Sequence, residues 1–165
     1  MKNRFRWTLC LAFVLASLSV SAEELSAVRA SVREVIVELK DVKGVNSVEL
    51  RKGHGLGIIK AFLRPKLGKE FLAGITSIIV IEYSKASEEV CDTMQKRLDS
   101  YSATLQEFKF DNNEFGDNEK VRGYVAIDDK MIGSDLVMIV EDRGKGSKLF
   151  IYMGGLLKVE ALNLA

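Results

Sequence analysis

The chain has one proline, one histidine and two cysteines among its 165 residues. Each scarcity narrows what it can be. With Pro65 as the sole proline, proline-rich linkers and polyproline recognition segments are excluded. With His54 as the sole histidine, a histidine-dependent triad would have to use that residue, and no serine here stands in a G-x-S-x-G nucleophile setting. Zinc within one chain usually needs several His or Cys ligands, and such a set is not available. No basic excess exists either: the formal charge is +1, so nothing draws the chain to nucleic acid or to an anionic membrane.

What is present is apolar and ordered. Hydrophobic residues make up 47% and charged residues 28%, a globular balance. The length suits one ordinary domain. The first 22 residues stand apart from it. Lys2, Arg4 and Arg6 give a positive start, Trp7 to Leu18 is an apolar block, and Val20-Ser21-Ala22 offers small residues for cleavage. This reads as a signal peptide over 1–22, cleaved after Ala22, with a single domain over 23–165 that is periplasmic or secreted. The block is short of the roughly 20 apolar residues of a membrane span. An uncleaved anchor is the alternative, and the mature chain is expected to carry no transmembrane span. Cys10 lies inside the block and follows Leu9, which does not suit lipid attachment. Cleavage would remove three basic residues and shift the formal charge from +1 to about −2. It would also leave Cys91 as the only thiol, so no intramolecular disulfide could form.

The segment Ser134 to Gly154 organises the domain. Leu136–Val140 and Leu149–Met153 are apolar runs around the polar, glycine-bearing Glu141–Lys148, the pattern of a β-hairpin. Neither run alternates, so both faces of this hairpin should be covered, at the centre of a sheet. Upstream, Leu25, Val28, Val32, Val35, Ile36, Leu39 and Val42 recur at helical spacing, with Gly44 a plausible stop. Val45 to Arg51 is a modest strand. Ile58, Ile59, Phe62 and Leu63 suggest a helix that Pro65 ends or kinks. Lys66 to Gly74 is expected to be a mobile loop. Ile75 to Tyr83 is a strong strand, and Ser84 or Ser87 can cap a helix carrying Cys91, Met94, Leu98 and Tyr101 on one stripe. Beyond Leu105 the period becomes two, through Phe108, Phe110, Val121, Gly123, Val125 and Ile127. Leu156 to Leu164 is expected to be a short terminal helix. The class is α+β: one sheet of about six strands, mostly antiparallel in its C-terminal half, with helices mainly on one face.

The run from Gly44-Val45 into SVELRK, then ITSIIVIEY, then MIGSDLVMIVEDRGKGSKLFIYMGG resembles a bacterial envelope family known as domain of unknown function 4252. In the last segment a polar pair precedes an LVM run, an acidic turn follows, and a glycine closes the second strand. The resemblance spans most of Val45 to Leu164. It implies an exported α+β domain, and it brings neither an established activity nor functional residues. Members of that family are often lipoproteins, whereas this chain lacks the attachment cysteine.

Four stretches could carry chemistry. Gly53-His54-Gly55-Leu56-Gly57 follows a strand and opens a helix, where backbone N–H groups can hold an anion and His54 could add a proton or a metal bond. Ile58 stands where a dinucleotide fingerprint needs glycine, and a flexible connector is the plainer reading. DNNEFGDNE has carboxylates for calcium but not EF-hand spacing, and suits a solvated turn. Cys91 is either a redox or dimerising thiol or, on its apolar stripe, a small buried hydrophobe. Tyr124, Phe150 and Tyr152 share one sheet face, which is a partner surface if uncovered and core if the N-terminal helix lies on it. The expectation is a non-catalytic exported binding or interaction module, without cofactor or metal, for an unknown protein or small ligand of the cell envelope. An anion- or metal-dependent hydrolase or ligand-binding enzyme built around His54 is the alternative.

Overall fold

The computed structural model describes residues 26–51, 55–109, 118–130, 132–158 and 163–164. Helix α1 spans Ala27–Glu38, strand β1 Asn46–Arg51, helix α2 Leu56–Leu67, helix α3 Lys69–Ala73 and strand β2 Ile75–Glu82. Helix α4, Glu88–Ser100, runs into a 3₁₀ turn at Tyr101–Ala103. Strands β3 (Gln106–Lys109), β4 (Glu119–Ile127), β5 (Ile132–Asp142), β6 (Ser147–Lys158) and the short β7 (Asn163–Leu164) follow.

All strand pairs are antiparallel, in the order β1-β2-β6-β5-β4-β3-β7. Six principal strands and a two-residue seventh make the α+β sheet that the patterning implies. The β5–β6 hairpin is central, with β6 joining β2 on one side to β5 on the other. Its turn is closed by Asp142, whose Oδ1 accepts from the backbone N–H groups of Gly144 (2.9 Å) and Lys145 (3.1 Å). Those bonds, with that to Lys145 the largest cause, hold the Asp142 carboxyl below the usual range.

Period two along the central strands sends alternate residues to opposite cores. Ile79, Ile81, Val137, Ile139, Phe150 and Tyr152 meet Val32, Val35 and Leu39 of α1 and Val90, Met94 and Leu98 of α4. Ile75, Ile78, Leu136, Met138, Ile151 and Met153 meet Leu56 and Leu67 of α2 and Phe71 and Leu72 of α3. Continuous apolar runs therefore have a cause: both sides of the sheet are dry. The helices are shared between the faces more evenly than a one-sided layer, with α1 and α4 on one and the α2–α3 pair on part of the other.

Several boundaries differ from the sequence reading. Lys66 to Gly74 is not a loop throughout. Lys69–Ala73 forms α3, because burying Phe71 and Leu72 fixes a turn too short to show a period. Pro65 sits inside α2, which continues to Leu67. Leu156 to Lys158 is strand rather than helix, paired as Gly133↔Leu157 and Ile132↔Lys158, with Leu157 fully buried. Helix α1 ends at Glu38, well short of Gly44, and Ser26 caps its start by accepting from the Arg29 N–H. Ser87, not Ser84, caps α4.

A polar cleft at the N-terminus of helix α1

Of the glycine-loop candidates, Gly53 and His54 lie outside the described residues. Gly55 takes a left-handed conformation as the N-cap of α2, and Gly57 lies exposed in its first turn. The DNNEFGD stretch also lies outside the described residues. Tyr124, Phe150 and Tyr152 do share one face, as the period requires, but α1 and α4 cover it and all three are buried. They are core, so of the two alternatives for this face the covered one holds and the partner-surface reading is corrected. Cys91 is half-buried beside that core, with Lys148 Nζ donating to its Sγ at 3.3 Å.

The same face carries the site that sequence reasoning missed. Cross-strand register aligns Ser77 of β2, Gly154 of β6, Asp135 of β5 and Ala126 of β4 in one row. The next row inward is Ile79, Tyr152, Val137 and Tyr124. The apolar face thus ends in a row of small and polar residues, and the first turn of α1 lies over it. Register shifts in β2 beside Thr76 and in β5 beside Ser134 loosen the ladder at that point, as bulges near sites do. A cleft of about 180 Å³ results, lined among others by Ser26, Arg29, Ser77, Asp135, Tyr152 and Gly154.

Asp135 is the centre of it. Only 4% exposed, its carboxylate accepts at Oδ1 from Ser26 Oγ (2.5 Å) and Tyr152 Oη (2.7 Å), and at Oδ2 from Ser134 Oγ (2.9 Å). No cation among the described residues pairs with it. Three hydroxyl donors replace the water that burial removed. Gly154 makes room for one of them: a Cβ there would stand 2.3 Å from Tyr152 Oη and 2.9 Å from Ser77 Oγ.

Two donors in the cleft make no hydrogen bond to a described residue. Arg29 gives Nη2 to Glu49 at 3.0 Å, in a cluster where Arg33 and Arg51 hold the same carboxylate, yet its buried Nε–H has no partner. Ser77 is 3% exposed and its hydroxyl makes no hydrogen bond among the described residues.

Burial first, and then the bond to the Asp135 carboxylate, push the Tyr152 hydroxyl above the usual tyrosine range. Tyr152 is therefore protonated at neutral pH and donates to Asp135. Among the described residues, the lining contains no His, Lys or Cys to activate a serine. Among the described residues no three His, Cys, Asp or Glu side chains gather as a metal site would require. No described helix is long and apolar enough to cross a membrane. The arrangement is suited to holding a small polar group by hydrogen bonds. A second, wider groove of about 690 Å³ runs past Glu70, Ile132 and Leu156 on another part of the surface, and Leu156 is 69% exposed there.

Comparison with protein-family models, with curated proteins and with solved structures finds no match to this chain.

Proposed function

We propose that this chain is an exported, non-catalytic domain of the cell envelope that binds a small polar ligand in the cleft around Asp135. One observation carries the binding reading. A buried carboxylate is held by three hydroxyls, beside a buried Arg29 Nε–H that has no hydrogen-bond partner among the described residues and a Ser77 hydroxyl in the same lining. Buried polar groups are rarely left unbonded without cause, and groups kept open for a ligand are one such cause. The polar character of the lining and the locked proton on Tyr152 favour recognition over bond-breaking. Export rests on the Lys2–Ala22 pattern and is in keeping with the resemblance to the envelope family described above.

Two measurements test the two parts. Thermal denaturation of the purified chain against a panel of small polar solutes should give a concentration-dependent rise in melting temperature, lost in Ser77→Ala. A flat response to the whole panel would remove the binding reading. Amino-terminal sequencing of protein recovered from the envelope fraction should begin at Glu23, and an intact Met1 would contradict processing after Ala22.

A further inference from the structure

The ligand's chemistry can be argued further, and the argument rests on the cleft being a binding site. A carboxylate has about four acceptor positions. Asp135 Oδ1 already accepts two hydroxyls, while Oδ2 accepts only Ser134, so one acceptor position remains, on Oδ2. With no described cation paired to Asp135, that position and its negative charge suit an ammonium group. The other open groups have the opposite demand. The Arg29 Nε–H and the Ser77 O–H are both donors, and the guanidinium carries positive charge. They suit an oxyanion or carboxylate.

A simple anion would satisfy the donors but would bring a second negative charge to the Asp135 carboxylate. A simple amine would satisfy Asp135 and leave Arg29 Nε and Ser77 unbonded. A molecule carrying both charges satisfies both ends. Size sets the scale: about 180 Å³ is below the roughly 300–1,000 Å³ of pockets for drug-sized ligands, which fits a molecule of a few heavy atoms and not an oligosaccharide.

We infer that the cleft binds a small zwitterion of the α-amino acid type, its ammonium on Asp135 Oδ2 and its carboxylate on Arg29 Nε and Ser77 Oγ. Every open polar position is then filled, and the buried charge of Asp135 gains a counter-charge.

Calorimetric titration of the full chain with glycine, L-alanine, trimethylglycine, acetate, methylammonium and inorganic phosphate tests this. Glycine and L-alanine should bind. Acetate, methylammonium and trimethylglycine, each lacking one half of the recognition, should bind about 10-fold more weakly or worse. Ser77→Ala should weaken glycine by a similar factor. Asp135→Asn, which keeps one oxygen to accept from Ser26 and Tyr152 while its amide nitrogen can only donate to Ser134 Oγ, should do the same, and its melting temperature reports whether the fold has survived. If Asp135→Asn does not fold, Ser77→Ala still decides. Acetate or phosphate binding as tightly as glycine would overturn the zwitterion and leave the cleft as a binding site for anions. No heat from any of the six would overturn both.

Discussion

Tyr152 and Gly154 show how closely single residues are tied to one another in this protein. The tyrosine ring folds back over the glycine two positions on, and its hydroxyl reaches Asp135 only because no Cβ intervenes. Gly154→Ala should push the hydroxyl off the carboxylate and cost about 1–3 kcal/mol, read from a denaturant midpoint. An unchanged midpoint would mean that the ring is free to move aside. Gly123 plays a similar part across the strands, where the Phe108 ring lies over it and an added Cβ would stand 2.5 Å from that ring. The tyrosines also set a pH limit. Burial raises both Tyr83 and Tyr152 above the ordinary value of about 10. A folded-state pKa raised above the unfolded one means that stability is intact below about pH 10. It falls as the unfolded chain deprotonates first, by about 1.4 kcal/mol per pH unit for each tyrosine. Denaturant titrations above that pH should show this slope, and Tyr83→Phe should reduce it by one proton. An equal slope in wild type and variant would refute the assignment.

Among the elements, α3 makes the sharpest test. A five-residue helix has little stability of its own, so it exists because Phe71 and Leu72 dock against the sheet. Phe71→Ala should therefore cost about 3–5 kcal/mol, whereas the same change in a mobile loop would cost almost nothing. The contrast also shows what could be read in advance. Strands β2, β5 and β6 were legible because their apolar runs are unbroken, and α4 because a serine cap, an acidic first turn and a regular stripe agree. Helix α3 was not, since one turn holds too few residues for a period. The end of β6 was misread because Leu156 to Leu164 has helix-like composition, while backbone pairing to Ile132 and Gly133 decides otherwise. Cross-strand register also hid the cleft. Ser77, Asp135 and Gly154 become neighbours only when β2, β6 and β5 are aligned. A signal did exist: Asp135 stands two before Val137 and Ser77 two before Ile79, at positions whose parity points them inward. A polar residue at a core-facing position is the feature to look for in such runs.

At the scale of the whole molecule, strand order matters more than any one contact. β1 and β2 come from the first half of the chain and β3 to β5 from the second, and among the described strands β6 alone bonds the two groups into one sheet. A chain ending at Gly146 should therefore show no cooperative unfolding transition, even though it keeps all four described α-helices and every strand from β1 to β5. A sharp transition in that fragment would contradict this view. The surface ion pairs, such as Arg97–Glu38 between α4 and α1, would not rescue it, being worth about 0–1 kcal/mol each.

This late placement of the bridging strand bears on how the polypeptide acquires its shape. A nascent chain emerging from its amino end has no partner for the inner edge of β2 until β6 has been made. Contacts so remote along the backbone slow collapse to the native topology. The sheet would therefore wait in two parts, β1–β2 and β3–β5, until β6 arrives to close the seam between them.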